Sequence, residues 1–235
     1  AGYHARRMAA RVTISELRAL GPAPDTSLGQ HFLLDANLLR VAVRMAEVTA
    51  EDVVLEVGPG LGVLTAELAE TGAHVHAIEL DRRLAAPLSR VVELYPNVHL
   101  TWGDALGLDL GALDPQPTAF VANLPYNVAT PLVVESLSGL PSVQSWCVMV
   151  QREVADRFFA APSTKAYGAV SVLLQLCARR TGWHPVSRHV FRPPPNVESA
   201  LVAFDRVELP ERYPRVRAVV TAAFGHRRKT LANAL

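Results

Sequence analysis

Between residues 53 and 151, short apolar runs alternate with stretches of helical period, and this alternation restricts the fold more than any other feature. VVLEV (53–57), HVHAIEL (74–80), VHLTW (98–102), TAFVAN (118–123) and SWCVMVQ (145–151) read as strands. Residues 61–70, 82–94, about 130–138 and REVADRFFA (152–160) have helical spacing, with Thr130 placed to cap the third of these helices. Strands separated by helices of this length must run parallel, because each helix is long enough to cross back over the sheet. The expectation is an α/β, Rossmann-like fold with a mainly parallel, doubly wound sheet.

Upstream, residues 13–20 and 36–46 read as helices, the second capped by Asp35. Downstream the rhythm changes. A helix near 168–178 precedes two strand-like segments, about 182–190 and 198–206, joined by the proline-rich FRPPPNV. Two strands with no helix between them predict an antiparallel hairpin at one sheet edge. Residues 214–235 read as helical. The resulting division is an N-terminal extension (1–50), a catalytic domain (51–206) and the start of a C-terminal helical segment (207–235).

Half of the 235 residues are hydrophobic, enough for one sizeable core. The net charge of +1 conceals an asymmetry: residues 1–20 carry +3 and residues 206–235 carry +5, which leaves −7 for residues 21–205. An acidic body with basic ends suits a protein anchored peripherally on a polyanion. Arg227, Arg228 and Lys229 form the densest basic cluster and are candidates for phosphate contacts. Cys147 and Cys177 lie far apart in apolar stretches and read as buried thiols. No run approaches the ~20 apolar residues of a membrane span. The basic start lacks a secretory core, so a cytoplasmic protein is expected.

In a doubly wound sheet, ligands bind beyond the carboxyl ends of the strands. Three features collect there. EVGPGLG (56–62) places Gly58, Gly60 and Gly62 between a strand and a helix, where backbone can approach a ligand closely. Glu79 ends the next strand, at the offset of a carboxylate that accepts hydrogen bonds from ribose hydroxyls. Asp104, just past the third strand, can accept an adenine amino hydrogen. Together they suit an adenosine without a phosphate chain, S-adenosylmethionine rather than NAD. No P-loop is present, and His74 and His76 have no third ligand nearby, so no metal is expected.

The fourth strand ends in Asn123-Leu124-Pro125-Tyr126, an unusual exit for a buried strand. The Asn123 carboxamide oxygen can accept from an exocyclic amino group. Proline pushes Leu124 to an extended conformation, aiming its carbonyl outward as a second acceptor. Pro125 stiffens the turn, and Tyr126 offers a ring on which a base can stack. Two acceptors gripping an amino group can direct its lone pair at an electrophilic methyl, so alignment rather than a strong base carries the reaction.

LGQHFLLD (28–35), VLEVGPGLGVLT (54–65), IELD (78–81), GDAL (103–106), NLPYNVATP (123–131), QREVADR (151–157), YGAVSVLLQ (167–175) and FRPPPNVESALV (191–202) resemble, in order, the motifs of the ribosomal RNA adenine dimethyltransferases. The likeness runs from about residue 28 to 233 and favours the branch that dimethylates two adjacent adenines near the 3′ end of 16S rRNA in the small ribosomal subunit. It implies that Gln30, His31 and Leu33 contact the cofactor, with Gly58 and Gly60 against its methionine portion. Glu79 would serve the ribose and Asp104 the adenine amino group, with Leu80 and Ala105 as further cofactor contacts. Asn123, Leu124, Pro125 and Tyr126 would be the catalytic turn, and Phe191 an aromatic stacking on the target base. Glu56, at a strand position expected to be buried, must find a partner, the cofactor's amino group through water. Family members usually continue beyond RRKTLANAL into further helices, so this chain is expected to stop short of a full C-terminal domain.

Other readings remain open. A related 23S rRNA methyltransferase of the macrolide-resistance type shares the fold, with a turn that usually reads Asn-Ile-Pro. A ribosome-assembly factor would bind RNA and check maturation, with methylation secondary, and a DNA adenine methyltransferase would share the logic of the turn but needs a recognition domain for which the chain has no room. A monomer is expected.

Overall fold

The computed structural model of the chain describes residues 11–225. The basic cluster at 227–229 lies outside the described residues. In chain order the elements are α1 (Ile14–Leu20), β1 (Phe32–Leu33), α2 (Ala36–Ala46), β2 (Val53–Val57), α3 (Val63–Glu70), β3 (His74–Glu79) and α4 (Ala85–Leu94). They continue with β4 (Val98–Trp102), β5 (Ala119–Asn123), α5 (Ala129–Gly139), β6 (Ser145–Gln151), α6 (Arg152–Phe158) and α7 (Ala169–Cys177). The last are β7 (Ala178–Val186), β8 (Phe191–Arg192), β9 (Ser199–Arg206) and α8 (Tyr213–Gly225).

The large sheet has the order β4-β3-β2-β5-β6-β9-β7. The strands from β4 through β6 are parallel, and β9 and β7 add antiparallel at one edge. Side chains alternate across both buried faces, as central strands demand. On one face Val54, Val121, Cys147 and Leu201 pack against Leu39 of α2, Leu68 of α3 and Val91 of α4. On the other, Leu55, Phe120, Trp146 and Phe204 pack against Leu137 of α5, Phe158 of α6 and Leu174 of α7. Each such fully buried side chain contributes about 1.5–3 kcal/mol. Among the described residues, no helix is long and apolar enough to cross a membrane.

Several expected boundaries move. The helix expected from residue 61 begins at Val63, because Gly62 adopts φ +82° as its N-cap. Residues 82–84 form a 3-10 turn before α4. The cap of α5 is Val128, not Thr130, which sits inside the first turn beside Pro131. The edge strand expected at 182–190 spans 178–186, and its register against β9 breaks between Arg180 and Gly182. Asp35 does cap α2, accepting from the Leu38 N–H at 2.9 Å. α8 packs on the sheet's helical layer, with Tyr213 1% exposed and Arg217 bonded to Glu135 of α5 at 3.0 Å.

The switch in strand order lies between β2 and β5: the chain builds outward from β2 through β3 to β4, then returns to β2's other side. The carboxyl ends of those strands therefore leave a crevice. A separate two-stranded pair, β1 with β8, sets Phe32 opposite Arg192 and Leu33 opposite Phe191 and roofs that crevice.

Candidate active site

A cavity of about 280 Å³ occupies the crevice. Gln30, His31, Leu33, Glu56, Gly58, Gly60, Glu79, Leu80, Asp104, Ala105 and the turn Asn123–Tyr126 all line it, so residues spread over nearly a hundred positions meet in one place. Its lining holds three carboxylates and, among the described residues, no lysine or arginine. Such a lining offers acceptors and no cationic side chain to hold a phosphate chain.

The glycine loop is built for close approach. Gly58 (φ +73°) lies under the Asn123–Tyr126 turn, where an added Cβ would stand 3.1 Å from Pro125. Gly60 (φ +59°) faces the roof, where a Cβ would meet the Phe32 ring at 3.2 Å. Side chains at either point would be strained and would fill the cradle.

Glu79, only 6% exposed, ties the loop to β3. Its Oε1 accepts from the Leu80 and Asp81 N–H groups at 2.9 Å, and its Oε2 from the Gly60 N–H at 3.1 Å. Burial raises its carboxyl while these donors pull it back down. Glu56 is 1% exposed and differs: its Oε2 has no hydrogen-bond partner. Burial pushes its carboxyl up to about 8, helped by the neighbouring Glu79 charge. The Thr65 hydroxyl lies close enough to pull the other way, by more than the Glu79 charge adds, yet it forms no hydrogen bond of normal geometry. An acceptor buried without a donor calls for one from a ligand.

The segment before β1 is latched across the cavity. Gln30 accepts from the Asp25 N–H through Oε1 and donates to Asp81 through Nε2, both at 2.8 Å. Arg83 bonds Asp81 at 2.7 Å and Asp25 at 3.2 Å, and with Gln30 it holds the Asp81 carboxyl down at about 2. Asp81 stood in the sequence inside IELD, but its role as the support of Gln30 emerges only from the fold.

At the turn, the Leu124 N–H donates to the Met149 carbonyl at 3.1 Å, while among the described residues no hydrogen bond claims the Leu124 carbonyl. The Asn123 amide nitrogen donates to the His31 carbonyl at 3.5 Å, a long bond, and no described donor engages its Oδ1. Two acceptors therefore stand free at the end of β5. The Tyr126 ring stacks on His31 (centroids 5.5 Å apart, 28° between planes), and its hydroxyl meets Ser199 Oγ at 2.6 Å. Asp104 is exposed at the cavity's rim and Ala105 is buried beside it. The structure corrects the expectation for Phe191: it is 0% exposed, its ring packed in the core beneath β1, so it offers no face to a base.

An adenosine with a cationic tail fits this set: carboxylates for its hydroxyls and amino group, a buried acceptor for an ammonium, and glycines where the chain must pass closely. Among the described residues, no group of three or more His, Cys, Asp or Glu is arranged to hold a metal ion.

Comparison with known proteins agrees with this geometry. The sequence model of the family "Ribosomal RNA adenine dimethylase" matches residues 24–235. The chain is 49% identical over 215 residues to the "Ribosomal RNA small subunit methyltransferase A" of Rubrobacter xylanophilus, covering 91% of this chain and 81% of that one. It is 47% identical to the protein of the same name from Thermobifida fusca, covering 92% and 78%. Among solved structures it is similar to a dimethyladenosine transferase from Plasmodium falciparum (TM-score 0.76, 28% identity, 87% and 74% coverage). It is also similar to the 23S rRNA methyltransferase ErmE (TM-score 0.67, 28% identity, 86% and 82% coverage).

Proposed function

The chain belongs to the ribosomal RNA adenine dimethylase family, and on that premise we propose that it dimethylates N6 of two adjacent adenosines near the 3′ end of 16S rRNA. S-adenosylmethionine is the methyl donor and the small ribosomal subunit the substrate; the enzyme acts as a cytoplasmic monomer. The observation that carries this reading is the end of β5, where the Asn123 carboxamide oxygen and the Leu124 carbonyl stand unclaimed beside an electronegative cavity.

When bound, S-adenosylmethionine supplies an electrophilic methyl group on a positively charged sulfur. Gly58 and Gly60 admit its methionine portion, and the free Glu56 oxygen receives its ammonium. Glu79, with Leu80 beside it, accepts from the ribose hydroxyls. Asp104 and Ala105 border the adenine, while Gln30, His31 and Leu33 close the roof and keep water out. The target adenosine must be unstacked to reach the turn. Tyr126 then stacks on it, a contact worth about 1–3 kcal/mol. Asn123 and Leu124 would accept the two N6 hydrogens and so turn the nitrogen lone pair toward the methyl group that the cofactor would supply. Pro125, packed over Gly58, fixes the distance between grip and cavity. The basic ends of the chain hold RNA phosphates, so binding weakens as salt rises.

A 23S rRNA substrate receives less support. The similarity to ErmE is at 28% identity, against 49% for the small-subunit relative named above. Replacing Asn123 by Ala tests the reading. With under-methylated small subunits and labelled methyl donor, wild type places label in N6,N6-dimethyladenosine. Asn123→Ala leaves cofactor binding by calorimetry intact and lowers transfer by 100-fold or more, roughly the loss of one oriented catalytic contact. Full activity in that variant would refute the assignment.

A further inference from the structure

Tyr126 is held from two sides, by His31 of the roof and by Ser199, which no step above uses. Ser199 is 0% exposed and opens β9, where its backbone pairs with Gln151 of β6 and Val186 of β7. Its hydroxyl lies 2.6 Å from the Tyr126 hydroxyl, yet Ser199 does not line the cavity. On the ring's face sits His31, itself tethered by Nδ1 to the Pro193 carbonyl at 2.8 Å. One face of Tyr126 is thus occupied and its phenolic end is pinned, while the residue still lines the cavity. Burial raises the Tyr126 phenol, which keeps it a neutral partner for Ser199.

From this geometry we propose that Ser199 is a positioning residue that fixes the Tyr126 ring for base stacking, and that the second methyl transfer depends on it more than the first. The proposal rests on Tyr126 being the base platform. The asymmetry follows from counting hydrogens. Unmodified adenosine offers two N6 hydrogens to Asn123 and Leu124; after one transfer only one remains. Stacking then carries a larger share of the orientation, so a loosened ring costs the second step more. Each transfer forms an N–C bond as the S–C bond breaks, and N6 gives up one hydrogen as a proton to solvent.

The test compares wild type, Ser199→Ala, Tyr126→Phe and the double variant by single-turnover methylation of under-methylated small subunits, with nucleosides separated. Ser199→Ala should slow the second transfer relative to the first by about tenfold, the effect of a 1.4 kcal/mol change, so that N6-monomethyladenosine accumulates. S-adenosylmethionine affinity should stay within about twofold, since Ser199 is outside the cavity. Tyr126→Phe keeps the ring and loses the same bond, so it should reproduce the product ratio, and the double variant should be no worse than either. A merely structural role for Ser199 would lower the melting temperature and slow both steps alike, overturning the proposal, as would a wild-type product ratio in Ser199→Ala. If wild type itself formed no dimethyladenosine while binding cofactor, the functional reading would fall and this proposal with it.

Discussion

Replacing Glu56 by Gln removes the ionisable group from the cavity floor while nearly preserving its shape. Burial raises the Glu56 carboxyl from 4.5 to about 8. At 1.36 kcal/mol per unit this amounts to about 5 kcal/mol of ionisation penalty in the folded protein, fully expressed only above pH 8. Between those values the folded protein keeps a proton that the unfolded chain has already released. Unfolding therefore releases a proton, and the group's effect on stability becomes more unfavourable as pH rises. Relative to Glu56→Gln, the wild type should lose about 1.4 kcal/mol per pH unit between about pH 5.5 and 7.5, levelling off above the folded value. The assay is urea unfolding of both proteins, without cofactor, across that range. Plotting the difference cancels most of the other titrating groups. With S-adenosylmethionine bound the slope should shrink, because an ammonium stabilises the ionised carboxylate. A difference that is flat with pH in the cofactor-free proteins would refute the reasoning, since it would mean that the carboxyl is already ionised and compensated in the folded state.

Two further outcomes follow from groups away from the cavity. His74, His76 and His99 crowd together on neighbouring strands, with His74 and His99 centroids 4.4 Å apart and the His74 Nε2 buried without a partner. Burial and the neighbouring imidazoles lower His74 and His76 from 6.5, so stability should fall as pH drops through that value; His74→Phe should flatten the melting-temperature profile between about pH 7.5 and 5.5. Arg206 lies over the Trp146 ring and donates to the Val143, Leu137 and Leu140 carbonyls at 2.5, 2.8 and 2.8 Å. Arg206→Met strips three carbonyls near the end of α5 of their donor and should cost about 3 kcal/mol, or roughly 6–12 °C in a thermal melt.

The parallel core was legible because its strands are buried on both faces: runs such as VVLEV and SWCVMVQ leave no other reading once helices separate them. The edge was harder to read. β7 carries exposed Arg179, Arg180 and Thr181, then a register break and Pro185, so its apolar signal starts late and its residues 178–181 look like a helix end. β1 and β8 are two residues each, too short for any periodicity to register. In the site, the glycines after a strand, Glu79, Asp104 and the amide of the Asn-Leu-Pro turn were legible from their own chemistry, whereas Gln30, His31 and Leu33 were named only through the family resemblance. Residues acting through another were missed, because Asp81 beneath Gln30 and Ser199 behind Tyr126 become partners only across 51 and 73 positions of chain. Phe191 shows the same limit from the other side: an aromatic beside three prolines reads equally well pointing in or out, and only the pairing of β8 with β1 decides it.

That pairing also bears on the order in which the molecule is made. The roof of the cavity joins His31 to Pro193 across 162 residues, whereas β2, β3 and the glycine loop beneath are complete by residue 79. At about 5–20 residues per second, synthesis separates the two halves of this clasp by roughly 8–32 s. Within that interval the chain supplies the whole parallel sheet, and the roof can close only at its end. A ribosome must therefore deliver most of this protein before the product can close over a methyl donor and act on ribosomal RNA.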